Sequence, residues 1–336
     1  MTAKAHLRVG ACLSLTGRFA QFGSQAANAL SVWRGLDGAA DVVIEDDRSD
    51  PKALEAALGS VAARCDVLLG PYSTQLVRRA GRVAAESGWL LWNHGGSGDD
   101  VEAASPGHLV SILTPTSRYA APFLRWLVDE GVHGPLWVVH GEGRFGRQVA
   151  GGAAAMARRL GIETVVAGHH DELEPRGTPW YLFSAGTFED DIETVDRAIG
   201  LPEPPQFVCS VAAGVRAFAA ALGHDPAGTF GVAQWFPGAT EPPLLGPDQA
   251  TFLTAYARAA RVTPDYPAAQ AVAAAVIAAH ATRHAGGTTR DLVWPIATEL
   301  DTSTLFGAFA VDRVTGAQVK HEPVLVRWAE DGLATA

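Results

Sequence analysis

Three polar, glycine-bearing segments carry groups with which a protein could hold a small molecule: Ser14-Leu15-Thr16-Gly17, Gly70-Pro71-Tyr72-Ser73-Thr74 and Asn93-His94-Gly95-Gly96-Ser97. Hydroxyls and free backbone N–H groups can bind a carboxylate without a buried cation. Ser73 or Thr74 can cap a following helix whose remaining N–H groups face an anion or carbonyl. Gly95 and Gly96 let backbone approach a ligand closely. Tyr72, Trp92, Phe145, Phe188 and Trp235 could add apolar walls, with ordinary core as the competing reading.

Other residue patterns point to catalysis and fail on inspection. Gly141-Glu142-Gly143-Arg144-Phe145-Gly146 is a literal G-x-G-x-x-G, the turn that cradles a dinucleotide pyrophosphate. That fingerprint needs an acid at the end of the next strand, and Glu163 stands at its beginning. A plain turn is preferred, and a nucleotide-dependent enzyme is kept as the alternative of another class. His280 and His284 share a helix face, but a zinc-binding His-Glu-x-x-His needs Glu where Ala281 stands. His169-His170-Asp171 has metal-ligand types, which a polar loop before Pro175 and Gly177 explains equally well. The sequence has no G-x-S-x-G elbow, Walker A loop or metal-spaced cysteine set. No catalytic residue, metal or cofactor is assigned.

The elements that must position these residues alternate. Leu7–Leu13, Asp41–Ile44, Val67–Leu69 and Trp89–Trp92 read as strands, with helices at Ala20–Trp33, Pro51–Arg64 and Thr74–Glu86 between them. A second series has helices at Ser117–Glu130, Phe145–Leu160, Phe188–Ile199 and Ala212–Leu222. Its strands are Leu136–His140, Thr164–Ala167, Tyr181–Ser184, Phe207–Cys209 and Thr229–Val232. Such alternation implies right-handed βαβ units and parallel sheets. Two long helices, Pro247–Ala260 and Pro267–His284, and a strand-like tail, Thr304–Trp328, complete the chain.

The chain has 336 residues, 48% hydrophobic and 18% charged, which fits two globular units rather than one. A net charge of −10 without a basic stripe argues against a nucleic-acid partner. No run is long and apolar enough for membrane insertion. Cys12, Cys65 and Cys209 read as buried thiols, with a bridge between one pair left open. The start, Met1 to His6, lacks an apolar leader. A cytoplasmic site is expected if the sequence is complete, and a periplasmic or other extracytoplasmic one if a leader has been removed.

Ser14 to Gly17, Glu45-Asp46-Asp47-Arg48-Ser49-Asp50-Pro51, Asp66 to Pro71, Tyr266-Pro267-Ala268-Ala269-Gln270, and Phe306-Gly307 with Asp312, Gly316 and Trp328 occur in an order that resembles the leucine/isoleucine/valine-binding protein family. The resemblance runs from about Leu7 to Trp328. It implies the type I periplasmic-binding-protein fold: α/β, with two Rossmann-like lobes carrying parallel sheets and joined by three crossovers. The lobes are expected at 1–116 with 238–320, and at 117–237 with 321–336. It also implies closure on a small ligand that is not chemically changed, and an ABC permease as partner if the chain is exported. A cytoplasmic sensor of the same fold is the alternative reading.

By this resemblance the ligand site comprises Ser73, Thr74, Gly95, Gly96 and Ser97, to which Tyr72, Phe145 and Phe188 are added from their places near predicted strand ends and Ser210 from the corresponding stretch of the second lobe. Where relatives carry an acid to pair with an ammonium, this chain has Cys209-Ser210-Val211-Ala212. Either another acid such as Glu189 substitutes, or the ligand lacks an ammonium. The second is favoured, because an unpaired buried ammonium costs several kcal/mol. The expected ligand is therefore a carboxylate or amide of amino-acid-like size rather than a standard branched-chain amino acid.

Overall fold

In the computed structural model, which describes residues 5–175 and 179–336, strands and helices alternate from the outset. β1 (Leu7–Leu13) is followed by α1 (Ala20–Asp37), β2 (Ala40–Asp46), α2 (Pro51–Ala62), β3 (Val67–Leu69), α3 (Thr74–Ser87), β4 (Leu91–Asn93) and β5 (Leu109–Ser111). A second series runs α4 (Ala121–Asp129), β6 (Leu136–His140), α5 (Arg144–Leu160), β7 (Thr164–Gly168), β8 (Tyr181–Ala185), α6 (Phe188–Ile199), β9 (Phe207–Ser210), α7 (Ala217–Ala221) and β10 (Phe230–Ala233). Then come α8 (Gln249–Ala260), α9 (Tyr266–Ala285), α10 (Arg290–Glu299), β11 (Thr302–Thr304), β12 (Gly307–Phe309), β13 (Val324–Ala329) and β14 (Gly332–Thr335). One unit comprises the stretch through Thr114 with Thr240–Glu322, the other Pro115–Ala239 with Pro323–Ala336, so the chain passes between them three times.

The first unit has a wholly parallel sheet in the order β2-β1-β3-β4-β5. The order reverses between β1 and β3, where loops leaving the strand carboxyl ends diverge and open a crevice. Cys12, Leu68 and Leu91 meet Leu54 and Leu58 of α2 and Leu76 of α3 on one face. Strand alternation sends Ala11, Leu69 and Trp92 to the other face. There α9 packs on α1, β3 and β4, and its alanine-rich surface is buried almost all round. Pro267 sits in its first turn, and it ends at Gly286, left-handed with φ of 66°.

The second sheet runs β14-β13-β10-β9-β8-β6-β7. Its parallel part repeats the same order, with the reversal between β6 and β8, while β13 and β14 add an antiparallel edge. Val138, Phe183 and Cys209 build one core and Trp137, Leu182 and Val208 the other, on opposite sides of the sheet.

Several segments differ from the sequence reading. β5 is only Leu-Val-Ser and carries no pattern of its own. α10 is a helix despite an internal Pro295, a residue that reads as a breaker. The single helix expected at Ala212–Leu222 is a 3-10 turn at Ala212–Gly214 followed by α7. Val215 between them is extended (φ −126°, ψ 150°), and Gly214 lies against the Val232 carbonyl, where a Cβ would not fit. The strand-like tail resolves into the β11–β12 hairpin, an isolated bridge between Val311 and Gln318, and β13. All three cysteines are free. Among the described residues no helix is long and apolar enough to cross a membrane.

Candidate functional site

The Glu45–Pro51 motif is a staple. The Asp46 carboxylate accepts from the Leu15 N–H (2.9 Å), Thr16 N–H (3.2 Å), Arg48 N–H (2.8 Å) and Thr16 hydroxyl (2.7 Å). Burial opposes its ionisation, but these hydrogen bonds prevail and hold its pKa below the ordinary value. Asp47 is fully buried and accepts from Ser14 Oγ (2.6 Å) and the Ser49 N–H (2.8 Å). There burial prevails and raises the carboxyl's pKa. Asp50 caps α2 through the N–H groups of Lys52 and Ala53, each at 2.9 Å, ahead of Pro51. The Ser14 and Thr16 hydroxyls are therefore donors to carboxylates of their own unit.

The loops after β3 and β4 are bound to each other. The Ser73 N–H donates to the Gly95 carbonyl (2.9 Å), and the Gly98 N–H to Thr74 Oγ1 (3.2 Å). Ser73 holds φ of 86°, a conformation that costs a side-chain-bearing residue about 1 kcal/mol or more. Its Oγ caps α3 only at 3.4 Å from the Leu76 nitrogen. Tyr72 stacks on Phe22 (4.4 Å between centroids, 8° between planes), tilts against Phe19 at 5.8 Å, and shares a 2.5 Å hydroxyl contact with Tyr266. All four rings are half-buried. They form an aromatic wall beside the crevice between β1 and β3.

Asn93 shapes the loop after β4. Its Oδ1 accepts from the N–H groups of Gly95 (3.0 Å) and Gly96 (2.9 Å), and its Nδ2 donates to the Gly96 carbonyl and Ser111 Oγ, both at 2.6 Å. The N–H groups of Gly95 and Gly96, expected to face a ligand, thus donate within the loop. What these glycines supply is room. A Cβ on Gly95 would lie 2.5 Å from the Pro71 carbonyl oxygen, and one on Gly96 2.6 Å from Val77. His94 is wholly buried, and burial lowers its pKa to about 4, so the imidazole is neutral. The first unit thus gathers Tyr72, Ser73, Thr74, Gly95, Gly96 and Ser97 at neighbouring strand ends. Trp92 belongs to the core.

The second unit does not gather its expected residues in the same way. Phe145 packs on the core of Phe123 and Phe183 and Phe188 on that of Trp137 and Leu182, so the sheet lies between them. Ser210 is buried beside Asp191, whose ionised form its hydroxyl favours. Glu189 is exposed. Trp235 is buried.

The acid built into this rim is Asp191, which the sequence reading passed over because a carboxylate in the first turn of a helix reads as a partner for the helix dipole. Its oxygens accept from Ser184 Oγ (2.6 Å) and the Ala212 N–H (2.9 Å). Burial raises its pKa to about 6 against those bonds.

The glycine turn after β6 has its own occupant. Asp190 forms a capping box with Thr187 (3.0 and 3.1 Å), and its carboxylate fills the space beside Gly141 and Gly186. A pyrophosphate placed there would meet a carboxylate. Gly143 has φ of −67° and open space at its Cβ. His169 bonds Thr194 (2.9 Å) and Glu193 (3.1 Å). Gly177, at the end of that loop, lies outside the described residues. His280 and His284 pack ring against ring at 4.0 Å. Among the described residues no three metal-ligand side chains assemble.

The sequence pattern of the family described as periplasmic binding protein matches residues 6–173, half of the chain. No curated protein sequence matches. Among solved structures, a leucine binding protein from Thermotoga maritima MSB8 is 12% identical, with 98% of this chain and 97% of that chain covered and a TM-score of 0.80. A branched-chain amino acid transporter substrate binding protein from Streptococcus pneumoniae, in complex with isoleucine, is 13% identical (98% and 99% covered, TM-score 0.76). A solute binding protein of an ABC transporter from Rhodopseudomonas palustris BisB5, in complex with 3,4-dihydroxybenzoic acid, is 14% identical (98% and 95% covered, TM-score 0.78). At these identities the likeness is one of fold.

Proposed function

Because the chain belongs to the periplasmic binding protein family, we propose that it captures a small organic acid or amide non-covalently and presents it to an ABC-type importer outside the cytoplasm. It is a receptor and performs no chemistry on the ligand. The observation that supports this reading is the joined pair of loops after β3 and β4, which ties Ser73 to Gly95 and Thr74 to Gly98, with Tyr72 of the first loop set in the aromatic wall of Phe19, Phe22 and Tyr266. Hydroxyls take the carboxylate or amide end, the wall takes the apolar body, and Gly95 and Gly96 let the two loops approach closely.

The ligand carries no α-ammonium. Val211 and Ala212 stand where an acid is expected, and the oxygens of Asp191 already accept from Ser184 and Ala212. Its raised pKa makes it a weak anion besides. An aromatic acid, the ligand class in the Rhodopseudomonas palustris complex, meets the same requirements as a branched aliphatic acid.

Calorimetric titrations of leucine, 4-methylpentanoate and benzoate in one buffer test this. At least one acid should bind more tightly than leucine, by roughly tenfold or more. Ser73→Ala and Ser97→Ala should each weaken its binding by about 1–3 kcal/mol, the cost of an unpaired buried acceptor. Tighter binding of leucine would sink the ligand assignment, and unchanged affinity in both variants would remove these loops from the site.

A further inference from the structure

Helix α9 is buried almost all round until its last turns, where two histidines reach the surface. His280 is half-buried and His284 exposed, their ring centroids 4.0 Å apart and their planes inclined by 31°. Residues four apart on a helix share a face, which brings the two imidazoles together. The His284 ring is already oriented. Its Nδ1 lies 2.9 Å from the His280 carbonyl oxygen, which only accepts, so Nδ1 carries the proton and the lone pair of the neutral ring sits on Nε2. A backbone carbonyl that holds one ring nitrogen of a histidine fixes the other for a metal.

The surroundings suit a cation. Burial, with the neighbouring His284 and Arg283 charges, lowers the pKa of His280 and keeps its ring a free base at neutral pH. Arg283 is committed elsewhere: its guanidinium donates to both Asp37 oxygens (3.2 and 2.7 Å) and to the carbonyls of Ala39 (2.9 Å) and Ala5 (3.1 Å). The last carbonyls of α9 add partial negative charge at the same turn.

We propose that His280 and His284 form a two-histidine site for a divalent transition-metal cation, Cu(II), Ni(II) or Zn(II), at the C-terminal end of α9. Two imidazoles one helical turn apart can both reach such an ion at about 2.0–2.1 Å, as they do in H-E-x-x-H helices. Ala281 stands where that motif has its glutamate, so the ion is held without a general base beside it. Imidazole selects these ions over Mg(II) and Ca(II), which take oxygen ligands, and Cu(II) binds tightest. Water fills the remaining coordination positions. The site lies about 20 Å along the helix from Tyr266 and stands whether or not the ligand reading does.

The test titrates the untagged full chain with CuCl2, ZnCl2 and MgCl2 in a non-coordinating buffer at neutral pH. Calorimetry should show saturable Cu(II) binding, weaker Zn(II) binding and no heat from Mg(II). Substoichiometric Cu(II) should broaden the ring resonances of His280 and His284 before those of other histidines. His280→Ala and His284→Ala, which put a good helix former into an exposed turn, should each weaken Cu(II) binding by at least the roughly tenfold that losing a supporting group costs a metal site. His170→Ala, in an exposed loop of the other unit, should leave it unchanged. Absent saturation, binding that survives either α9 substitution, or broadening that begins at His169 and His170 would overturn the proposal. The broadening pattern needs no variant, so it decides the question even where a substitution disturbs the helix.

Discussion

Each unit carries a buried serine–aspartate pair at the carboxyl edge of its sheet, with the same 2.6 Å contact, and the two pairs are built differently. In the first unit Ser14 meets Asp47, the second Asp47 oxygen is unpaired, and Asp46 next to it carries most of the stapling. In the second unit Ser184 meets Asp191, both carboxylate oxygens are used, and the contacts join β8, α6 and the turn after β9. One acid shares a loop staple with its neighbour, and the other joins three elements of its rim. A carboxylate among hydroxyls at a strand end can be fold rather than binding site, and its hydrogen-bond partners tell which.

The largest expected effect breaks that contrast directly. Asp191→Ala should cost about 3 kcal/mol of stability, because it strands the Ser184 hydroxyl and the Ala212 N–H in the interior. Asp47→Ala should cost clearly less, since it also removes an unpaired buried oxygen and leaves Asp46 holding the loop. Urea unfolding of both variants checks the order, and an equal or larger loss for Asp47→Ala would end the comparison.

The next effect is on pH dependence. The pKa of Asp191 is raised from 3.8 to about 6 and that of Glu102 from 4.5 to about 7. A folded pKa above the unfolded one means that the folded state binds more protons in between, so stability is fullest below the unfolded value and falls as pH rises through the folded one. Asp191→Asn should flatten the decline between about pH 4 and pH 6, and Glu102→Gln that between about pH 4.5 and pH 7. Each acts on the order of 3 kcal/mol. Melting temperatures measured across that range with the same slope in wild type and variant would show that the corresponding acid does not set the pH dependence.

The smallest pair sharpens the contrast in the glycine loops. Gly95→Ala must displace the Pro71 carbonyl and should cost about 1–2 kcal/mol. Gly143→Ala meets open space at an ordinary φ and should stay within about 0.5 kcal/mol. A costly Gly143→Ala accompanied by calorimetric binding of NAD or ATP would restore the nucleotide reading.

The parallel α/β order was legible wherever a strand ran long enough to carry an apolar run, as β1 and β6 do. It failed at the three-residue β5 and at α10, where neighbours hold a helix that Pro295 argues against. The candidate loops were legible as positions, because glycine with hydroxyls after a strand is a local signal. Their wiring was not. That Gly95 and Gly96 donate to Asn93, that Glu102 is buried, and that Asp191 rather than Glu189 is the interior acid are facts of tertiary burial. Nothing in the spacing distinguishes Asp191 from Glu189 two positions earlier.

Helix α9 sets a schedule for the newborn chain. β3 and β4 leave the ribosome long before the helix that covers them, which at about 5–20 residues per second follows roughly ten to forty seconds later. Throughout that interval Leu69 and Trp92 lack the cover that makes them interior, and although the first unit is begun first, most of the second is translated before its remaining half appears. Vectorial synthesis therefore gives the first-made segment no head start, and a holding chaperone would find its target on the exposed α9 face of the first sheet.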